Sequence, residues 1–440
     1  EIFDLVILSP FQMEVEQQAV INKYQLAEDN ELRIEVGEEE IIVELLEGTA
    51  EIFGTSLALH KRYNIPPGIR LSIFTYQTAI IEIVGKPESA YIGAQTPMVI
   101  YLNTHYALDM HRERALANGT RGPRILIAGP TDVGKSTLCR ILLNYAVRFN
   151  RTPIFVDLDI GQTNISIPGT IGALLISKPA DIVRGFDKHS TLAYSVGYES
   201  PGQNSECYKQ MIKSLADAVD RKCGNSSRIN ASGVVINTCG WIKDQGYICL
   251  LTACKAFKVD VVLVLENELL FNLFKKDLPE TVKIVHEPKS LGVEVRNGRQ
   301  RAAARRLAIR EYFYGIPPTI YNPFNFEVSY SGPEGERLII AKIGTEKLPE
   351  SCLPVGMKVE DHRTKVVKVE ITADLKNRIL ALMPSTATLD QSLIQTPVLG
   401  YVLVTDVDVQ NKTFMILSPQ PRPLPTKLAL LSEVTYVDDA

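Results

Sequence analysis

Several absences narrow the reading of this 440-residue chain. Its seven cysteines (139, 207, 223, 239, 249, 254 and 352) include no C-x-x-C pair, which leaves out the usual zinc spacing and a thioredoxin-like redox couple. An odd, unpatterned set in a long chain points to reduced thiols and a cytosolic or nuclear setting. No apolar run approaches the ~18 residues that a membrane span needs, so no membrane association is expected. The opening stretch EIFDLVILSPFQMEVEQQ lacks the basic start of a secretory signal, and secretion is not expected either. There is no excess of positive charge: the formal net charge is −4, so any nucleic-acid contact must come from a local basic patch. Tryptophan is scarce to the point of a single residue, Trp241. There is no internal repeat in the range of about 20 to 50 residues, which argues against a solenoid or propeller.

What is present is the composition of a folded globular protein, 45% hydrophobic and 22% charged, in a chain long enough for two or three cores. Up to about residue 104 it alternates short apolar pieces with turn residues: ELRIEV, EEIIVELL, AEIFGTSL, RLSIFTY, AIIEIVG and PMVIYL. That spacing predicts an antiparallel sandwich or barrel. HYALDMHRERALA (105–117) then reads as a helix. From Arg124 onward the buried strands RILIAG, TPIFVDLD, GVVINTCG and DVVLVLE alternate with helices, the pattern of a parallel sheet covered on both faces. Period-two alternation returns in FEVSY, RLIIAKIG, TKVVKVEIT, GYVLVTDVDV and TFMILSP. The expected organisation is an N-terminal β domain (1–108), an α/β P-loop domain (109–322) and a C-terminal β-rich domain (323–440).

The α/β region opens on GPTDVGKST, in which Gly129, Gly134, Lys135 and Ser136 satisfy G-x-x-x-x-G-K-S. A strand that turns through glycine into a helix aims several backbone N–H groups at one point, reinforced by the positive end of the helix dipole. Candidate nucleotide-binding residues are therefore Gly129, Thr131, Asp132, Val133, Gly134, Lys135, Ser136 and Thr137. Lys135 is placed to reach the β- and γ-phosphates and Ser136 to ligate Mg²⁺. Leu138, Ile141, Leu142 and Tyr145 then share one helix face. Asp157 and Asp159 stand two apart at the end of the next strand. Two carboxylates beside a magnesium triphosphate divide naturally into a metal-orienting group and a proton acceptor. Gln162 is a further candidate to orient a water or a phosphate oxygen.

A guanine-reading N-K-x-D is missing: the strand end that could carry it reads LVLENELL. This disfavours a GTP switch and favours a small P-loop kinase, which needs the loop, a carboxylate and mobile cations. Arg296, Arg299, Arg301, Arg305 and Arg306 lie within eleven residues. They read equally as phosphoryl-neutralising groups or as a solvated basic helix or import patch. Trp241, after the buried strand GVVINT, reads as a base-stacking platform or as an ordinary core tryptophan.

Taken together, GPTDVGKST, DLDIGQ, SIPGT, TCGW and the Arg296/Arg301 pair before REYFYG resemble the polyribonucleotide 5′-hydroxyl kinase subunit of the pre-mRNA cleavage factor. The resemblance runs from about Tyr24 to LSPQPRPLP, nearly the whole chain. It implies transfer of the ATP γ-phosphoryl to the 5′-hydroxyl of RNA with Mg²⁺. Lys135, Asp159, Arg296 and Arg301 would be catalytic, and Ser136, Asp159 and Asp157 would lie on the metal side. Gln162, Thr238, Gly240 and Trp241 would meet RNA, and Glu31 and Arg70 the adenosine. It further implies a scaffold subunit of 3′-end processing and the tRNA-splicing endonuclease complex as partners, and a nuclear location. Some family members have lost kinase activity while keeping a scaffolding role, and an ATP-bound, non-catalytic scaffold subunit of an RNA-processing complex is the alternative reading for this chain. The first ~20 residues do not match the family's polar N-terminal tail.

Overall fold

A computed structural model describes residues 20–317, 319–333, 337–345 and 362–438; the N-terminal departure from the family and Cys352 lie outside them. The chain divides into two compact units, one running up to Ile52 and over Ser56–Ala94, the other comprising Phe53–Thr55 and everything from Gln95.

The described residues up to Gly93 form β1 (Ile21–Leu26), β2 (Glu31–Glu35), β3 (Ile41–Gly48), β4 (Glu51–Ile52), β5 (Thr55–Ser56), β6 (Arg62–Ile65), β7 (Arg70–Phe74), β8 (Ala79–Val84) and β9 (Ser89–Gly93). They form two sheets, β1-β8-β3-β6 and β5-β4-β7-β2-β9, with antiparallel ladders. Alternation drives this arrangement. In β3, Ile41, Val43 and Leu45 are buried while Ile42, Glu44 and Leu46 are only half-buried. PMVIYL, read as the last of the turn-separated strand pieces, is instead the start of α1 (Met98–Asn118). A short apolar run cannot by itself separate the two periods, and here Tyr101, His105, Leu108, Arg112 and Ala115 bury one helical face. The boundary expected at 108 therefore falls inside α1.

The second unit is built on β10 (Arg124–Ala128), α2 (Lys135–Arg148), β11 (Ile154–Asp157), β12 (Thr170–Leu175), β13 (Leu192–Ser195), α3 (Ser205–Gly224), α4 (Ser227–Ser232), β14 (Val234–Asn237), α5 (Gln245–Ala256), β15 (Val261–Leu265), α6 (Glu268–Asp277), β16 (Lys283–Glu287) and α7 (Gly298–Tyr314). The sheet order is β13-β12-β11-β14-β10-β15-β16. β11, β14, β10, β15 and β16 are parallel, but β12 and β13 run antiparallel along one edge. The sheet is thus mixed where a parallel one was expected, because TIGALL and LAYS follow one another without a crossover helix. β10 is an interior strand flanked by two parallel neighbours, β14 and β15, so the loop leaving it emerges at the carboxyl edge where ligands bind in such sheets.

After a short hairpin, β17 (Gly315–Ile316) with β18 (Thr319–Ile320), come β19 (Phe324–Ser329), β20 (Ile339–Ile343), β21 (Val366–Lys368), β22 (Arg378–Leu382), β23 (Gly400–Asp408), β24 (Thr413–Ser418) and β25 (Leu428–Thr435). Their order is β19-β24-β23-β22-β25-β20-β21. β22 and β25 escape the period-two reading because RILAL and LALL are nearly continuous apolar runs in the middle of the sheet. This sheet shares a buried core with the α/β part: Ile379, Ala381, Leu403 and Leu430 pack with Leu126, Ile154 and Met211 in one cluster. A buried hydrogen bond of 2.7 Å between the hydroxyls of Thr170 and Tyr401 joins the same two parts.

Candidate active site

The phosphate loop is held by backbone geometry. Gly129 (φ 156°) and Gly134 (φ 90°) occupy the half of φ space that glycine tolerates, and Asp132 (φ 56°) is left-handed as well. α2 begins at Lys135 with no side chain capping it, so its first amides are directed at the loop without an internal acceptor. Leu138, Ile141, Leu142 and Tyr145 are all buried, as the helical spacing predicts, which seats α2 firmly against the sheet. Lys135 is 7% exposed and its Nζ donates to the Pro130 carbonyl at 2.6 Å. Burial lowers its pKa, with Asp159 the largest opposing influence.

Asp157 and Asp159 are not equivalent. Asp157 is fully buried and its carboxylate accepts four hydrogen bonds: Oδ1 from the Asp159 amide (3.0 Å) and Asn237 Nδ2 (2.9 Å), Oδ2 from the Asn164 amide (2.8 Å) and Nδ2 (3.2 Å). Burial, then the charge of Asp159, pushes its pKa up to about 6 against those bonds. Asp159 is half-buried; its Oδ1 accepts from the Gly161 and Gln162 amides, both at 3.1 Å, and its Oδ2 has no hydrogen-bond partner among the described residues. Burial also raises Asp159, offset most by Lys135 and further by Arg296. Asp159 therefore keeps one carboxylate oxygen without a protein partner and feels the charge of Lys135, whereas Asp157 is spent on internal order.

Asn237, at the end of β14, was not singled out from sequence. Its Nδ2 donates to Asp157 and, at 3.3 Å, to Ser136 Oγ, which ties the hydroxyl after Lys135 to the buried carboxylate. A polar residue closing the apolar run VVI beside the loop strand was the available signal. Among the described residues no three His, Cys, Asp or Glu side chains cluster as a metal cage.

The arginines converge on the loop. Asp132 accepts from the Arg296 backbone amide (3.0 Å) and Nε (3.4 Å) and from Arg301 Nη2 (2.5 Å). Gln162 bridges the other side, accepting from Arg296 Nη1 at 3.3 Å and donating to the Arg301 carbonyl at 3.3 Å. Arg305 instead pairs with Glu199 at 2.9 Å, and Arg299 and Arg306 are exposed.

TCGW meets the same loop. The Thr238 hydroxyl, 1% exposed, donates to the Ile127 carbonyl at 2.7 Å, so it anchors this segment to β10 and presents nothing outward. A Cβ on Gly240 would lie 2.4 Å from Thr131 Cγ2 and 2.6 Å from its backbone nitrogen; only glycine allows so close an approach. Trp241 is half-buried, packed over Gly246 with its ring edge toward Gly202. Residues 129–137, Asp157, Asp159, Gln162, Gly240, Arg296 and Arg301 are thus joined in one network. Within the first unit, Glu31 is 3% exposed and accepts from Arg33 Nε at 2.6 Å, while exposed Arg70 donates from Nε to Glu35 at 2.7 Å. The two stand at opposite ends of the β2–β7 ladder, Glu31 opposite Phe74 and Arg70 opposite Glu35, and not side by side.

Comparison with known proteins agrees with this architecture along the chain. Three family descriptions match in order: the N-terminal beta-sandwich domain of polyadenylation factor (25–115), the mRNA cleavage and polyadenylation factor CLP1 P-loop (129–315) and the pre-mRNA cleavage complex II protein Clp1 (322–438). A protein CLP1 homolog of Brugia malayi is 50% identical over 424 residues, 95% of this chain and 96% of its own length. Polyribonucleotide 5′-hydroxyl-kinase Clp1 of Rattus norvegicus is 44% identical over 417 residues, 94% of this chain and 96% of its own. A solved Clp1p in complex with Pcf11p shares the fold, with a TM-score of 0.82 at 24% identity over 96% of this chain and 99% of that one. By the matched domains and this identity, the chain belongs to the Clp1 family of pre-mRNA cleavage and polyadenylation factors.

Proposed function

We propose that the chain is an ATP-dependent RNA 5′-hydroxyl kinase of the pre-mRNA 3′-end-processing machinery. The observation that carries this reading is the convergence of Lys135, the Asp159 carboxylate with one oxygen free of partners among the described residues, and the Arg296/Arg301 pair on one phosphate loop that also touches the Trp241 segment. A simple nucleotide switch has no use for the last two.

The residues present fit a magnesium nucleotide. The uncapped α2 amides suit phosphate oxygens, and a hydroxyl with nearby carboxylates suits a hard cation that takes its remaining ligands from phosphate and water. Ser136 would hold Mg²⁺, oriented through Asn237 and Asp157, which leaves the open oxygen of Asp159 for the proton. Bound there, the ion would neutralise charge on the phosphates. In the transfer, the RNA 5′-hydroxyl oxygen bonds to the γ-phosphorus as the bond to the β-γ bridging oxygen breaks, leaving ADP. Asp159 takes the hydroxyl proton, Lys135 and the loop amides hold the phosphates, and Arg296 and Arg301 neutralise the oxygens in motion. Trp241 stacks on the terminal nucleotide, positioned by Gly240 and Thr238, with Gln162 beside it. Glu31 and Arg70 are carried to the adenosine from the family resemblance. A scaffold subunit of the cleavage factor and the tRNA-splicing endonuclease complex are the proposed partners, and the nucleus the proposed location.

The test is transfer of label from γ-labelled ATP to a 5′-hydroxyl single-stranded RNA by the wild type and Lys135→Ala. Labelled RNA from the wild type alone supports the kinase. No labelled RNA, with ATP retained after washing, replaces it with a nucleotide-bound scaffold.

A further inference from the structure

An acidic side chain is out of place in a loop that binds a polyanion, and Asp132 is acidic, 4% exposed at its side chain and left-handed at φ 56°. Phosphate loops bind through their backbone amides, so this carboxylate has another task. Its oxygens hold the arginine-bearing segment 296–301, the lid, on both sides of the start of α7. Oδ2 takes the Arg296 backbone amide at 3.0 Å, before the helix begins at Gly298, and Arg301 Nη2 at 2.5 Å, from its first turn. Oδ1 takes Arg296 Nε at 3.4 Å. Burial works to raise this carboxyl, and the hydrogen bonds and charges of Arg296 and Arg301 outweigh it, holding it below the usual carboxylate range. The bond to the Arg296 amide fixes the main chain, and with it where the lid segment sits, not merely where a flexible guanidinium points. Gln162 completes the seat from the Asp159 side.

We infer that Asp132 is the positioning residue of the lid, tying the α7 N-terminus to the phosphate loop so that Arg296 and Arg301 are already aimed when the phosphoryl transfers. This rests on the kinase reading. It assigns to the Asp132 side chain a role in the rate of transfer, and leaves the holding of ATP to the backbone amides of the loop.

Asp132→Asn isolates the charge, because asparagine adopts the left-handed region as readily as aspartate; Asp132→Gly keeps that backbone freedom and removes the acceptor. Both are compared with the wild type for kcat, for equilibrium ATP binding, and for tryptic cleavage after Arg296, Arg299 and Arg301 located by mass spectrometry. The expected result is a kcat lower by about 10- to 100-fold with ATP affinity changed less than about threefold, since misplacement by an ångström costs that much in rate. Cleavage within 296–301 should be about fivefold faster or more, because cutting there requires the segment to open locally. In an Arg301→Lys background the kcat cost of Asp132→Asn should shrink, as expected for partners in one contact. Unchanged cleavage, a kcat that rises, or a loss confined to ATP affinity would each overturn the assignment. If the wild type itself transfers no phosphate, the functional reading fails separately and cleavage alone judges the latch.

Discussion

Gly240→Ala probes the contact between the tryptophan segment and the phosphate loop. The added methyl would sit 2.4 Å from Thr131 Cγ2, 2.6 Å from its nitrogen and 2.8 Å from its Cα. The first atom can rotate away; the other two are backbone of the loop that holds phosphate. Either the TCGW segment lifts or the loop shifts, and overpacking of this kind costs about 1–3 kcal/mol, or roughly 5- to 150-fold in an equilibrium constant. The loss should appear in ATP affinity and RNA KM together, because one contact serves both. Trp241 is the sole tryptophan and half-buried beside this contact, so its fluorescence during ATP titration reports directly. Thr131→Gly should not rescue the variant, since it removes Cγ2 but leaves the backbone clash. Wild-type ATP affinity and RNA KM in Gly240→Ala would refute the coupling.

Asn237→Ala removes the donor shared by Ser136 and Asp157, and by analogy with outer-shell partners of metal ligands it should weaken Mg²⁺ dependence and activity about 10- to 100-fold, measured by magnesium titration of the rate. His105 is fully buried with neither ring nitrogen hydrogen-bonded, ringed by Tyr106, Tyr145 and Phe149 and close to Asp109, Arg112, Arg148 and Arg151. Burial, then Arg112, lowers its pKa from 6.5 to about 4, so the folded state resists a proton that the unfolded chain accepts. Its contribution is complete above about pH 6.5 and is lost as pH falls toward 4, by about 3 kcal/mol. Denaturant unfolding of wild type and His105→Phe should show that difference growing between pH 7 and pH 4, and parallel pH curves would contradict it.

Much of the site was legible because its signals are local. The Gly129–Ser136 spacing, the Asp157/Asp159 pair and the arginine run each lie within a dozen residues, and the structure brings all three to the carboxyl edge of one sheet. What could not be read was which members are spent internally. Thr238 faces Ile127 and Asp157 faces Asn237, partners set by strand register across the sheet and not by spacing, while Asn164 reaches Asp157 from the loop seven residues on. Asn237 and the lid contact of Asp132 were hidden for the same reason: their partners lie 80 and 164 or more residues away. In the fold, β22, β25 and the start of α1 were missed where apolar runs carry no distinguishing period.

The most direct measurement is single-turnover transfer of the ATP γ-phosphoryl to 5′-hydroxyl RNA by wild type and Asp159→Asn, with ATP occupancy matched. Labelled RNA is expected from the wild type, with a rate at least about 100-fold lower in the variant, the loss that follows removal of a positioned base. Asp159→Asn transferring at the wild-type rate, or a wild type that binds ATP and labels no RNA, would contradict it.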